Sequence, residues 1–157
     1  MTINTVSQLI IRSPIGNILI SLNGDEIDGI ELFTSSVIKN EIHSEMQLKI
    51  MDQFTAYFKQ AHNNWSLDLV KKGTPFQRQV WQYLHTISVG KTKTYSDIAS
   101  ALSTSPRAVA NACRANPFAI VIPCHRVVAK TGLGGYYGKT IGKELNVKQW
   151  LLDHEKS

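Results

Sequence analysis

The tightest constraint on this chain lies at Ile120-Val121-Ile122-Pro123-Cys124-His125-Arg126-Val127-Val128, where two apolar runs enclose a proline, a thiol, an imidazole and a guanidinium. Apolar runs of this kind read as buried strands, so the stretch is expected to pass through a core. Polar groups taken into a core must find partners there. Burial beside an imidazole and a guanidinium suits a thiol that has to become a thiolate, because cations and proton acceptors lower a cysteine's pKa and make it nucleophilic. The competing interpretation is that Cys124 is a small core residue, the usual fate of a free cysteine. Successive side chains of one strand leave on opposite faces, so contact between Cys124 and His125 needs a turn or a bridging water.

A length of 157 residues suggests one domain or two small ones. No apolar run approaches bilayer-crossing length. Met1-Thr2-Ile3-Asn4-Thr5 lacks the basic start and apolar segment of a secretory signal, so an intracellular, cytoplasmic protein is expected. Two cysteines, Cys113 and Cys124, are too few for a disulfide scaffold. With His43, His62, His85, His125 and His154 they show no metal-ligand spacing, so no metal is expected. A formal charge of +5 is compatible with a polyanionic partner, depending on where the charge lies.

The chain divides into two halves of an α+β kind, expected as residues 1–70 and 71–157. From Val6 to Phe33, apolar runs separated by Ser13-Pro14 and Asn23-Gly24-Asp25 predict an antiparallel meander. Ile42, Met46, Ile50, Phe54, Tyr57 and Phe58 then predict a helix over about Glu41 to Gln60. Asn63 to Gly73 reads as a linker. Beyond it, Thr74-Pro75-Phe76-Gln77 offers an N-cap, a proline at the first helical position and a capping-box glutamine. That helix turns Phe76, Val80, Trp81 and Leu84 to a core. Thr94-Tyr95-Ser96-Asp97 opens a short helix bearing Ile98, Ala101 and Leu102. Ser105-Pro106 opens another through about Arg114, and a last helix carries Val147, Trp150, Leu151 and His154.

The two short helices, joined by the polar Ser103-Thr104-Ser105, form a helix-turn-helix pattern. On the second, Val109, Ala112 and Cys113 share one face. Arg107, Ala110, Asn111 and Arg114 share the other, cationic at both ends and small in the middle. Such a face can approach a nucleic-acid groove and neutralise phosphates, although an ordinary solvated helix pair has the same pattern.

From about Gly73 to Glu155 the chain resembles the O6-alkylguanine-DNA alkyltransferases, which repair DNA by direct reversal. The resemblance is carried by Pro123-Cys124-His125-Arg126-Val127, Thr94-Tyr95, Arg107-Ala108-Val109, Asn116-Pro117, Gly134-Gly135-Tyr136 and Trp150-Leu151-Leu152-Asp153-His154-Glu155. It implies a small N-terminal antiparallel sheet with a helix, a ribonuclease-H-like α/β roll, before a mainly helical domain containing a helix-turn-helix. It also implies a single-turnover cysteine S-methyltransferase acting as a monomer on double-stranded DNA that contains O6-alkylguanine, and on O4-alkylthymine. Cys124 would accept the alkyl group, His125 would deprotonate it through a water, Glu155 would orient His125, and Asn116 would hold the local backbone. Arg107 would enter the duplex through the minor groove in place of the flipped base, within a DNA-binding set of Tyr95, Ala108, Ala110, Asn111 and Arg114. Tyr95, Cys113, Val127, Tyr136 and Tyr137 would form the substrate pocket. The backbone N–H of Tyr137 would face O6, and the Cys124 and Val127 carbonyls would receive the guanine amino group.

The chemistry is consistent with these roles. O6 of guanine is stacked inside the duplex, so a buried thiolate reaches its substituent only if the base is extruded, at a cost lower for a damaged base. The product is a thioether with no carbonyl for water to attack. Each molecule is therefore expected to act once, with no cofactor. Two features depart from the family's usual pattern. Tyr137-Gly138-Lys139-Thr140-Ile141-Gly142-Lys143 is longer and more basic, and Cys113 stands where a larger apolar side chain often flanks the base, which reads as packing variation. A non-catalytic alkyl-lesion binder is the alternative, and the thiol argues against it. A Cys-His hydrolase would usually hold its imidazole far away in sequence. In a plain transcription regulator the Cys-His-Arg cluster would be idle.

Overall fold

The computed structural model describes residues 6–157; the N-terminal stretch inspected for a leader, Met1 to Thr5, lies outside the described residues. The apolar runs of the first half form β1 (Val6–Ile11), β2 (Ile18–Asn23) and β3 (Glu26–Glu31), an antiparallel sheet in that order. Ile20 pairs with Leu9 on one side and Ile30 on the other, while Leu22 pairs with Ile27. Ile27 and Ile30 are three residues apart and would ordinarily point to opposite faces. A register shift at Ser21/Leu22 brings both onto the buried face.

Helix α1 (Glu45–Lys59) starts later than the expected Glu41, because the Ser44 hydroxyl accepts from Gln47 N and caps it there. Ile42 is left outside the helix and exposed, and the buried stripe is Gln47, Ile50, Phe54 and Tyr57. The stretch read as a linker is tied down at 68–70, where Ile27 N donates to Asp68 O (2.7 Å) and Val70 N to Ile27 O (2.8 Å). One compact unit ends at Lys71 and a second begins at Lys72.

The second unit contains α2 (Pro75–Leu84), β4 (Lys93–Thr94), α3 (Tyr95–Leu102), α4 (Pro106–Arg114), β5 (Val127–Val128) and α5 (Lys143–Lys156). Thr74 with Gln77 and Thr94 with Asp97 make reciprocal capping boxes, and the Ser105 hydroxyl accepts from Ala108 N. Helix α3 buries Ile98 and Ala99, whereas Ala101 is exposed and Leu102 only half-buried. It ends at Ser103, whose left-handed φ of 55° turns the chain into α4. Val109 and Ala112 of α4 pack inward, and the Trp81 indole N–H donates to Ala112 O (2.8 Å), fixing α4 to α2.

One expectation is corrected here. The apolar run before Cys124 is buried but is not a strand. Ile122 N donates to Phe118 O and Val121 N to Ala119 O, both at 2.9 Å, with Ile120 at φ 74°. Pro123 has no N–H to give a ladder, and Cys124–Arg126 closes into a single 3-10 turn. Only Val127–Val128 is extended, pairing in parallel with Lys93–Thr94. The last helix forms as expected, and on α5 the buried side is Lys148, Leu151, Leu152 and Glu155. Two of those four members are charged. Trp150 and His154 instead stack on each other at 4.8 Å, half-exposed.

The architecture is mixed α+β, with a three-stranded antiparallel sheet and five α-helices among the described residues. No helix among them is long and apolar enough to cross a membrane. Trp81→Phe keeps the ring but leaves Ala112 O without its indole donor, so it is expected to lower stability by about 1–3 kcal/mol. Chemical denaturation with an unchanged m-value checks this.

Candidate functional site

The turn at Cys124–Arg126 sends consecutive side chains to separate partners. His125 Nε2 lies 2.8 Å from Glu155 Oε2. Arg126 donates through Nε to Glu155 Oε1 (2.8 Å) and through Nη2 to Oε2 (2.9 Å). Its Nη1 donates to Ile87 O (2.6 Å). All three side chains are buried. Burial alone would raise the Glu155 pKa, but hydrogen bonds from His125 and Arg126 outweigh it and hold the carboxyl well below the usual range. Burial pushes His125 below its ordinary value against the pull of Glu155, so the imidazole is neutral. A carboxylate only accepts, which assigns the ring hydrogen to Nε2. The lone pair is then on Nδ1, which is buried and has no hydrogen-bond partner among the described residues.

Cys124 is 8% exposed. The Asn116 amide donates to its Sγ (3.2 Å) and to Ile122 O (2.8 Å), and Phe118 N donates to Asn116 Oδ1 (2.9 Å). Asn116 thereby ties the sulfur to the turn that precedes it. Burial raises the thiol's pKa, and Asn116 and Lys148 offset part of that. At rest the sulfur holds its proton and needs a base to release it.

Lys148 has no role in the sequence-based expectations. It is fully buried, and its Nζ donates to Val127 O (2.6 Å) and Gly135 O (2.8 Å), 5.9 Å from the Tyr95 ring centroid. Burial lowers its pKa to about 8, against the opposing pull of Cys124 and Cys113. The signal that could have found it is a cation at the first position of an i, i+3, i+4, i+7 stripe, where a buried charge must have a purpose.

Cys124 opens onto a cavity of about 290 Å³. Helix α3 contributes Tyr95, and α4 contributes Ala110, Asn111, Cys113 and Arg114. Tyr136 and Tyr137 close another side, followed by Gly138, Lys139 and Thr140, which the sequence reading did not include. Tyr95 is pushed up to about 12, mainly by burial, and stays a neutral O–H donor. The cavity thus gathers most of the expected pocket and part of the expected DNA-binding set. Val127 does not line it; the residue is buried and its carbonyl already accepts from Lys148. Arg107 and Ala108 lie at the start of α4 outside the cavity lining, Arg107 exposed and Ala108 half-buried. His125, Glu155 and Asn116 stand behind the sulfur rather than in the cavity wall. No cluster of three metal-ligating side chains occurs among the described residues.

A sequence model of the family described as 6-O-methylguanine DNA methyltransferase, DNA binding domain, matches residues 75–157. A probable methylated-DNA–protein-cysteine methyltransferase of Acanthamoeba polyphaga mimivirus is 55% identical over 104 residues, covering 64% of this chain and 66% of that protein. The constitutive methylated-DNA–protein-cysteine methyltransferase of Bacillus subtilis is 34% identical over 158 residues, covering 92% of each. The crystal structure of Mycobacterium tuberculosis OGT in complex with DNA superposes with a TM-score of 0.77 at 33% identity, covering 94% of this chain and 91% of that one.

The Lys148 ammonium favours the thiolate and is present below pH about 8. Lys148→Met is therefore expected to move the pH–rate profile of Cys124 alkylation by iodoacetamide to higher pH. Peptide mapping of the modified cysteine over a pH series measures the shift.

Proposed function

The chain belongs to the methylated-DNA–protein-cysteine methyltransferase family, and from that premise we propose how its own residues carry the transfer. The protein repairs DNA by direct reversal, moving an alkyl group from a base to one of its cysteines. The acceptor is Cys124. The lesion is O6-alkylguanine, with O4-alkylthymine as a second substrate, in double-stranded DNA bound by a cytoplasmic monomer.

One observation carries this reading: the sulfur in the cavity wall shares a 3-10 turn with an imidazole whose Nε2 is committed to Glu155 and whose Nδ1 has no partner among the described residues. His125 Nδ1 takes the thiol proton through a bridging water, and the Glu155–Arg126 pair stabilises the imidazolium. The thiolate attacks the alkyl carbon and an S–C bond forms. The C–O6 bond breaks, its electron pair stays on the purine oxygen, and the backbone N–H of Tyr137 meets that charge. The imidazolium proton then neutralises the purine. The thioether offers no acyl carbon for hydrolysis, so the protein turns over once.

The cavity lies inside the protein and O6 lies inside the duplex, so the base must be everted. Helix α3, the turn at 103–105 and α4 act as a helix-turn-helix. Arg107 fills the space the base vacates through the minor groove, while Tyr95, Ala108, Ala110, Asn111 and Arg114 meet the backbone around it. Residues 71–157 are the DNA-binding and acceptor domain. Residues 1–70 are a ribonuclease-H-like scaffold. A purely non-catalytic lesion binder would have no use for a buried thiol held by Asn116.

Incubation with an O6-methylguanine duplex should add one methyl group, mapped to Cys124, in intact-mass and peptide spectra. Cys124→Ser should bind the duplex and gain nothing; methylation elsewhere on the chain would refute the acceptor assignment. Arg107→Ala should slow transfer from duplex DNA far more than reaction with free O6-benzylguanine. Comparable losses on the two substrates would remove Arg107 from the eversion step.

A further inference from the structure

The rim of the cavity carries a cation outside the DNA-binding set assigned above. Tyr136 N donates to Lys139 O (2.9 Å) and Lys139 N to Tyr136 O (3.0 Å), closing a two-residue hairpin. Its central residues, Tyr137 and Gly138, have φ of 53° and 72°, the left-handed pair of a type I′ turn. Such a turn has little freedom, so it fixes where Lys139 leaves the backbone. A Cβ built on Gly138 would fall 2.6 Å from Arg114 Nε and 2.8 Å from its Cζ. The absence of a side chain there makes a notch in which the guanidinium rests.

Arg114, from the last turn of α4, and Lys139, from the hairpin, therefore meet at one rim from separate elements. Both line the cavity and both are exposed. Neither is paired with a carboxylate among the described residues. Like charges gathered in this way repel unless an anion lies between or beside them. A nucleotide whose base enters this cavity brings its own phosphodiester to the mouth.

We propose that Arg114 and Lys139 form a clamp for the backbone phosphate of the everted nucleotide, with Gly138 as the notch that seats the guanidinium. The proposal rests on the alkyl-transfer reading and adds to it a second grip on the extruded residue, remote from Arg107. Energy spent on that phosphate holds the base in the cavity. It does nothing for a free base, which has no phosphate.

The test compares the native protein with Lys139→Gln and Lys139→Arg. Binding to an O6-methylguanine duplex is titrated with salt in a Cys124→Ser background, and transfer rates are taken with the acceptor intact, on an O6-methylguanine duplex and on free O6-benzylguanine. Removing one phosphate contact should reduce the slope of log K against log salt by about 1. Lys139→Gln should lower the ratio of duplex rate to free-base rate about tenfold, and Lys139→Arg should restore both slope and ratio. An unchanged slope, or an equal loss on the two substrates, would overturn the clamp. Because the slope is read without the acceptor thiol, it stands apart from the chemistry. Absence of transfer by the native protein would instead overturn the function on which the proposal rests.

Discussion

The Glu155 carboxylate is the single group on which the arrangement of the acceptor segment depends. It closes the bond to His125, neutralises Arg126, and through both fastens the 3-10 turn to α5. Replacing a buried pair by apolar residues can be neutral, but removing one partner strands a charge at a cost of about 3–5 kcal/mol. The site is therefore held in place by interdependence rather than by any one strong bond. Two turns earlier on α5, Lys148 secures Val127 O and Gly135 O, the segments on either side of the cavity floor. One helix thus brings an anion to the back of the cysteine turn and a cation beside it.

Burial sets two requirements on Cys124 that oppose each other. A dry environment raises the thiol's pKa and suppresses the thiolate. The same environment raises the sulfur's intrinsic nucleophilicity once the proton is gone, because less acidic thiols give stronger nucleophiles. Local groups settle the conflict without exposing the sulfur to water. Asn116 donates to the sulfur, Lys148 supplies positive charge, and His125 is kept neutral by burial so that a base is available. On the proposal that the cavity receives only an extruded base, access itself contributes to selectivity, because extrusion is cheapest where pairing is already weakened.

Local chemistry made most of the helices legible. Thr74, Thr94 and Ser105 announce their helix starts by side-chain caps, and Asn23-Gly24-Asp25 announces the β2–β3 turn. The sequence also singled out Cys124, His125, Asn116 and Glu155, which the fold brings together from three separate segments. What stayed hidden has a common cause. The apolar run before Cys124 looks like a strand because hydrophobicity reports burial, while its turn geometry follows from Pro123 and a left-handed Ile120. Lys148 stayed hidden on α5 because charged residues count against an inward face unless their partners are known. Lys139 was invisible as a lining residue because its position follows from a hairpin between Tyr136 and itself, not from any periodic element.

The placement of charge explains how attraction to DNA and alkyl transfer coexist in so small a unit. At the back of the site, Arg126 offsets Glu155 and His125 is neutral, so the buried machinery adds little net field there. Arg107, Arg114 and Lys139 are exposed, so the contacts proposed for them with DNA carry no cost of prior burial in the protein. Lys148 belongs to neither group. When the thiol ionises, a negative charge appears within the influence of its ammonium, and the pair is close to neutral. Displacement then carries that charge from sulfur to the purine oxygen, leaving an uncharged thioether. In the proposed transfer one negative charge passes from sulfur to oxygen within the cavity and is neutralised by the proton that His125 took from the thiol.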